Sequence, residues 1–353
     1  MATKENYIAI TLLVLACVFA HLSSIGATHA DNFGRRSLIG GPDRNVKVRV
    51  AGSLSGTKPD GSSIDMGGAV DVETSGTKPA SRNKNAKVHI GGHLRRNKPN
   101  GSSLNMGGTI GVDTTGAGHN RQAKVHVGGR LRRNKPDGTS LNMGGAIDVD
   151  ASSTNTNGLK RKAKVHVGGR LSRKKPDGTS LNMGGAIDVD ASGTKTDGLN
   201  RKAKVHIGGR LSRKKPDGTS LNMGGAVDVD ASGAKTGGLN RKAKVHVGGR
   251  LSRKKPDGTS LNMGGAIDVD ANGAKTDGHN RKAKVHVGGQ LSRNKPDGTS
   301  LNMGGAVDVD ANGRDATGKV GINGRLSGTM PNGFSINMGG NIAIDTSNKS
   351  STH

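Results

Sequence analysis

Histidine and aspartate are the residues of this chain whose types and spacing come nearest to a chemical site. A Lys-Val-His segment recurs along the sequence, and an Asp-Val-Asp segment follows most copies of it. Histidine binds metal ions and titrates near neutral pH, but a zinc site needs several converging ligands. Because each histidine is matched with one aspartate, the pattern predicts opposed, pH-sensitive pairs and no metal site. The recurring histidines are His89, His126, His166, His206, His246 and His286.

The motifs of common enzyme classes are absent from the sequence. It contains no Gly-x-Ser-x-Gly nucleophile turn, no His-Glu-x-x-His zinc helix and no phosphate-binding loop ending in Gly-Lys-Ser/Thr. We therefore predict a protein that is not an enzyme and that uses no cofactor.

The charge balance indicates the kind of partner. The chain has 54 Lys and Arg against 27 Asp and Glu, a formal charge of +27, and such a charge attracts anionic partners. Proteins that bind single-stranded nucleic acid stack bases on aromatic side chains, and this chain has no Trp, one Tyr and three Phe. We predict binding to anionic lipid, lipopolysaccharide or acidic polysaccharide, and no specific nucleic-acid recognition.

The basic residues are concentrated on either side of a recurring Lys-Pro-Asp-Gly segment. They are the candidate residues for binding an anionic surface. The set is Arg130, Arg132, Arg133, Lys135, Arg170, Arg173, Lys174, Lys175, Arg210, Arg213, Lys214, Lys215, Arg250, Arg253, Lys254 and Lys255.

These side chains belong to a repeat of about 40 residues that fills residues 46–345. Within a copy, apolar and polar residues alternate on both sides of Lys135-Pro136-Asp137-Gly138, which predicts two strands and a turn. The eight copies start at Lys47, Lys87, Lys124, Lys164, Lys204, Lys244, Lys284 and Lys319, and the first and last diverge most.

The turn determines the predicted register. A three-residue loop, Pro136 to Gly138, places Lys135 opposite Thr139. A loop one residue shorter would pair apolar with polar residues, because a one-residue slip moves every side chain to the other face. The predicted partners are Leu131 with Met143, Val127 with Ile147, Val125 with Val149, Lys124 with Asp150 and His126 with Asp148.

One such hairpin is too weak to fold alone, because an isolated two-stranded hairpin is marginally stable at best. Its apolar face needs neighbouring hairpins or a lipid surface. Self-association of the chain is a separate candidate interaction. We predict an all-β chain with up to sixteen antiparallel strands in a sheet, a barrel or a stack, partly disordered when free. The Gly- and Asn-rich joints between hairpins are predicted to be loops.

The two ends of the chain differ from the repeats. Residues 1–30 have a positive charge at Lys4, an apolar stretch from Ile8 to Ala20 and small residues up to Ala30, which predicts a secretory signal peptide. No second apolar stretch is long enough to span a membrane as a helix. Residues 31–45 are predicted to be a pro-segment and residues 346–353 a polar tail. The protein is thus predicted to be secreted.

Pairs of basic residues are candidate processing sites. One pair lies in the pro-segment, and the others lie in the joints, where cleavage would release products of about one repeat. The alternative is that they are solvated charges. The candidate processing residues are Ala30, Arg35, Arg36, Arg161, Lys162, Arg201, Lys202, Arg241, Lys242, Arg281 and Lys282.

A leader, a dibasic pro-segment and a cysteine-free, Gly-rich, cationic repeat region follow one another. Segments such as VHVGGRLS, KPDGTS and NMGGAIDVDAS accompany this layout. The chain resembles the glycine-rich antimicrobial proteins of insects, with the attacin and diptericin group nearest and multi-repeat hymenoptaecin-type precursors similar in layout. The resemblance implies secretion into body fluid and action on bacterial envelopes, mainly Gram-negative ones.

Three functional hypotheses follow. The first is a secreted, non-enzymatic, cationic host-defence protein that binds and perturbs bacterial envelopes. The second is an extracellular structural protein whose repeats associate edge to edge. The third is a secreted effector or venom protein that binds an acidic polymer.

Overall fold

The computed structural model describes residues 46–76, 84–117, 120–155, 159–196, 198–235, 239–275, 279–312 and 317–346. The predicted signal peptide, the pro-segment with Arg35 and Arg36, and the tail after Thr346 lie outside these residues. Secretion and cleavage at Ala30 or Arg36 therefore stay predictions.

The described part of the chain forms sixteen β-strands, each antiparallel to the next, and no helix. The first eight are β1 Val46–Thr57, β2 Ser63–Gly76, β3 Lys84–Asn97, β4 Ser103–Ala117, β5 Asn120–Asn134, β6 Ser140–Asn155, β7 Leu159–Lys174 and β8 Ser180–Thr196. The second eight are β9 Gly198–Lys214, β10 Ser220–Lys235, β11 Leu239–Lys254, β12 Ser260–Lys275, β13 His279–Asn294, β14 Ser300–Asn312, β15 Thr317–Thr329 and β16 Ser335–Thr346.

The turn of each hairpin has the predicted geometry. The Lys135 N–H donates to the Thr139 carbonyl at 2.9 Å, and the Gly138 N–H donates to the Lys135 carbonyl at 3.1 Å. Gly138 has a φ of 78°, a left-handed conformation that glycine adopts without steric cost. The Asp137 carboxylate accepts the Thr139 N–H at 2.8 Å, which fixes the turn from the side chain.

The predicted register is confirmed. In the hairpin of β5 and β6, Leu131 lies opposite Met143 and Lys124 lies opposite Asp150. The same pattern continues across the junctions between hairpins, where Asp150 lies opposite Lys164. Of the three predicted assemblies the structure forms the sheet, in strict chain order, with β1 and β16 at its two edges.

The sheet has one apolar and one polar face, because side chains alternate along each strand. In β7 the apolar face carries Val165, Val167 and Leu171, and the polar face carries Lys164 and His166. Residues that face each other on neighbouring strands form rows across the sheet. One row on the apolar face is glycine in all sixteen strands, running Gly52, Gly68, Gly92, Gly108, Gly129, Gly145, Gly169, Gly185, Gly209, Gly225, Gly249, Gly265, Gly289, Gly305, Gly324 and Gly340.

The prediction that the joints are loops was wrong for most of their residues. β7 begins at Leu159 and β8 continues to Thr196, so the polar ends of neighbouring hairpins pair as well. Their sequence has little preference for strands, but ladder pairing satisfies their backbone N–H and C=O groups once the hairpins on both sides are aligned.

No side chain in the described ranges is fully buried. Met143 and Ile147 on the apolar face are each 43% exposed, although both have apolar neighbours across the strand. The sheet therefore covers its backbone polar groups by strand pairing and leaves one apolar surface open.

Candidate anionic-surface interface

The open apolar surface is a band that crosses the whole sheet. Two rows of Val and Ile lie on one side of the glycine row, and a row of Leu and Met lies on the other. Sixteen strands spaced about 4.8 Å apart make the band roughly 70 Å long, and its three apolar rows are about 20 Å wide. Monomeric proteins rarely expose a continuous apolar patch larger than a few hundred Å².

Arginine rows border this band on the same face. At the margin of the hairpin turns, Arg173 lies between Leu141 and Leu181. At the margin of the joints, Arg161 lies between Ser153 and Gly193. The twelve-residue step from Arg161 to Arg173 corresponds to about 40 Å of strand. The turn-side row consists of Arg96, Arg133, Arg173, Arg213, Arg253 and Arg293, and the joint-side row of Arg121, Arg161, Arg201, Arg241 and Arg281.

The structure separates the sixteen predicted binding residues into three groups along the turn margin. The first group points to the apolar face and contains Arg133, Arg173, Arg213 and Arg253. The second points to the polar face and contains Arg130, Arg132, Arg170, Arg210, Arg250, Lys174, Lys214 and Lys254. The third lies in the turns and contains Lys135, Lys175, Lys215 and Lys255. None of the sixteen forms an ion pair with another described residue.

The polar face carries a second pattern, in which lysine alternates with a carboxylate across all sixteen strands. The Nζ of Lys204 lies 3.0 Å from the Asp230 carboxylate, and that of Lys284 lies 2.8 Å from the Asp310 carboxylate. The bond to Asp310 and its negative charge raise the pKa of Lys284. These exposed pairs each add little stability, but they neutralise the lysines that take part in them.

Five of the six predicted histidine–aspartate pairs are present in the next row of the polar face. The prediction was wrong for His89, which lies opposite Gly111 of its hairpin. Nδ1 of His166 hydrogen-bonds with the Asp188 carboxylate, which belongs to the same hairpin. His206 and Asp228 repeat this contact, as do His126 with Asp148, His246 with Asp268 and His286 with Asp308. Within the described ranges no three His, Cys, Asp or Glu side chains come together as they would around a metal ion.

The carboxylates change the titration of the histidines beside them. The hydrogen bond that His166 donates to the Asp188 carboxylate, and then the negative charge of that carboxylate, raise the pKa of His166 above its ordinary value of 6.5. Asp228 and Asp308 raise the pKa of His206 and His286 in the same way. The polar face thus becomes more positive in mildly acidic solution.

The joint-side basic pairs predicted as processing sites lie inside strands. Arg161 and Lys162 are both in β7, and each is flanked by a strand on either side. Arg161 points to the apolar face and Lys162 to the polar face. Cleavage at the pairs in β7, β9, β11 and β13 stays a prediction, and it would require these strand ends to leave the sheet first.

Sequence reasoning missed the joint-side arginine row as part of the apolar face. The signal was present, because Arg161, Ala163 and Val165 follow one another at every second position and must share a face if one strand contains them. Because the joint was predicted to be a loop, the alternation of strand faces was not extended from Val165 back to Arg161.

Comparisons of this chain with protein-family models, with curated protein sequences and with solved structures find no match. Among the described residues, none lies in a helix long and apolar enough to cross a membrane.

Proposed function

We propose that this chain is a secreted, non-enzymatic, cationic host-defence protein whose sheet lies against anionic microbial envelopes. The observation that carries the proposal is the apolar band with an arginine row along both margins of the same face. Apolar side chains between rows of basic residues suit a membrane interface, where the acyl boundary meets the phosphates of the headgroups.

The chemistry of each part supports this orientation. Guanidinium groups bind phosphate oxygens through paired hydrogen bonds, and Arg161 and Arg173 have no carboxylate opposite them on either neighbouring strand. The lysines in the Lys–Asp row are already neutralised by their partners on the polar face. The unpaired charge that lies beside apolar surface is therefore mostly arginine.

Repetition supplies the strength of binding. Each central unit, such as residues 161–200, has eight Lys and Arg against four Asp, a net charge of +4. A basic residue near an anionic membrane contributes about 1 kcal/mol, and linked units add their contacts without a new association step.

The test compares two variants that lose the same charge from opposite faces. In the first, Arg161, Arg201, Arg241 and Arg281 are replaced by Gln, and in the second, Lys162, Lys202, Lys242 and Lys282 are replaced by Gln. Binding is measured on vesicles that contain phosphatidylglycerol, with phosphatidylcholine vesicles and lipopolysaccharide in parallel. We expect the arginine variant to lose affinity for the anionic vesicles by at least about tenfold, and the lysine variant to lose much less.

Equal losses in both variants would show that net charge alone drives binding and that the apolar face does not meet the membrane. Bacterial growth and leakage are followed with the native chain at low and physiological salt. No growth inhibition at micromolar protein, together with no binding to lipopolysaccharide, would overturn the proposal.

A structural, matrix-forming protein is the second candidate. The observation that favours it is the open sheet, because β1 and β16 each pair with one strand only among the described residues. Assembly into insoluble fibres without any effect on bacteria would favour this function over host defence.

A further inference from the structure

The two edge strands lack the devices that usually prevent a sheet from growing. Natural edges carry charged residues, prolines or bulges that discourage pairing with another chain. β16 contains one charged residue, Asp345, with no proline, and its register with β15 is unbroken. β1 contains only Lys47 and Arg49 as charged residues. The interior strand β7, by contrast, has seven Lys and Arg.

The edge at β16 also exposes apolar side chains more than the interior does. Met338 is 61% exposed and Ile342 is 57% exposed, whereas the equivalent Met183 and Ile187 of β8 are 43% and 42% exposed. A further strand at this edge would give these side chains the neighbour that interior strands already have.

The two edges are complementary to each other in register. Every even-numbered strand inside the sheet pairs with the next odd-numbered strand so that glycine faces glycine and aspartate or glutamate faces lysine, as between β6 and β7. If β16 pairs with β1 of a second copy in this register, Gly340 faces Gly52. Asp345 then faces Lys47, Ile342 faces Val50, and Met338 faces Leu54. The rows of both faces would continue without interruption.

The backbone groups at the two edges are also in phase. The Met330 N–H donates to the Phe334 carbonyl, and hydrogen-bonded and non-hydrogen-bonded pairs alternate along an antiparallel ladder. The even-numbered residues of β16 therefore bond to β15, and the odd-numbered ones, such as Asn341 and Ala343, direct their N–H and C=O groups outward. The same argument from Lys58 and Ser62 leaves odd-numbered residues outward on β1. In the complementary register Asn341 faces Ala51 and Ala343 faces Arg49, so outward groups meet outward groups.

We propose that copies of this chain join head to tail, β16 of one copy pairing with β1 of the next, to form a continuous sheet. The contact is between two different surfaces, so each added copy leaves a free edge for the next and association does not stop at a dimer. Matched edges of like strands, β1 with β1 or β16 with β16, would not place Lys47 opposite Asp345. This proposal does not depend on the membrane-binding function.

Cross-linking tests the register directly. Two full-length chains are made with Cys17→Ser, one also carrying Val50→Cys and the other Ile342→Cys. In the proposed contact these positions form a non-hydrogen-bonded pair with Cα atoms about 4.5 Å apart, within reach of a disulfide. We expect a mixture of the two chains to form a heterodimer under mild oxidation, with little cross-linking of either chain alone.

The matched control replaces Val50→Cys by Ala51→Cys, whose side chain points to the other face. We expect this chain not to cross-link with the Ile342→Cys chain. Equal cross-linking of both pairs, or homodimers as abundant as heterodimers, would contradict the proposed register.

Charge at the contact provides a second measurement that needs no cysteine. Ala343 would lie opposite Arg49 of the next copy, so Ala343→Lys places like charges together and Ala343→Asp places opposite charges together. Size is followed by sedimentation over a range of concentrations. We expect the native chain to associate as concentration rises, the Lys variant to need at least about tenfold more protein, and the Asp variant to associate at least as readily as the native chain. A native chain that stays monomeric throughout would overturn the proposal.

Discussion

Four histidines of the polar face lie between two aspartates, one on each neighbouring strand; they are His166, His206, His246 and His286. His166 bonds to Asp188 in its own hairpin and faces Asp148 of the preceding strand, and both negative charges raise its pKa. Both partners in each pair are about half exposed, so a single pair contributes little. The effect on the molecule depends on its repetition along one row.

The raised pKa values predict a pH dependence of stability. Because the folded-state pKa values of His166, His206 and His286 lie above the ordinary value of 6.5, folding favours their protonated forms. This stabilisation is fully present below about pH 6.5 and is lost as the pH rises through the folded-state values. We expect the urea midpoint to decrease over that interval, and a variant with all three histidines replaced by Gln to show a smaller decrease.

The turn aspartates have the opposite effect on the pH dependence of stability, because their contribution is lost as the pH falls. The Thr179 N–H and hydroxyl lower the pKa of Asp177, so the contribution of Asp177 to stability is present above about pH 4 and is lost below it.

The histidine prediction is contradicted if the triple histidine variant shows the same decrease of the urea midpoint between about pH 6 and 8 as the native chain. The histidine–aspartate pairs would then not contribute to stability.

At the scale of the strand, the glycine row determines how closely neighbouring strands approach on the apolar face. A Cβ atom at Gly185 would lie 2.8 Å from the Gly208 carbonyl oxygen, and one at Gly225 would lie 3.0 Å from that of Gly248. These are contacts with backbone, which can move only if the ladder moves. Glycine at these positions is therefore a requirement of the sheet, although it weakens a strand in general.

Replacing a glycine of this row by alanine is expected to destabilise the sheet at one position and not at another. We expect Gly225→Ala to destabilise the sheet by about 1–3 kcal/mol, because the methyl group overlaps a neighbouring backbone oxygen. We expect Gly340→Ala in β16, where a Cβ would have no atom within 4 Å, to be neutral or to stabilise by about 0.4–1 kcal/mol through the unfolded state. Urea unfolding of both variants at one pH measures the difference. Equal destabilisation would mean that space beside the glycine is not the cause.

For the whole molecule, each strand contacts only its immediate neighbours in the sheet. The free energy of unfolding of such a chain is close to a sum of two kinds of contribution, one from each unit and one from each contact between neighbouring units. Interior units are then interchangeable, provided that each strand keeps its faces.

Two deletions test this. Removal of residues 164–203 joins Ala163 to Lys204 and takes out one unit of 40 residues while the alternation of side chains continues. Removal of Val167 alone moves the rest of β7 to the opposite faces, because a one-residue slip exchanges them. We expect the chain lacking 40 residues to keep its strand content by circular dichroism, with a smaller denaturant m-value in proportion to its size.

The chain lacking Val167 is expected to unfold at a lower denaturant concentration than the one lacking a whole unit. If removal of residues 164–203 lowers the stability more than removal of Val167, the units are not interchangeable. Stability would then not be a sum over units and their neighbours.

The hairpin could be predicted from the sequence because its information is local. Pro136, Asp137 and Gly138 define the loop, and the alternation on both sides permits one register only, which also pairs His126 with Asp148. The joints could not be predicted in the same way. Their residues favour turns when considered alone, and they become strand in β7 and β8 because the hairpins on either side are already aligned.

The sequence by itself therefore determined the unit: the turn, the register, the two faces and the charge that each unit carries. Only the tertiary structure decided how the units meet. Strand edges and apolar faces are both available for contact, and no local sequence pattern shows which of the two contacts is the more stable. Pairing at the edges satisfies backbone hydrogen bonds along every strand. That choice brings Arg161 and Arg173 onto the margins of one open apolar band and leaves β1 and β16 as complementary ends.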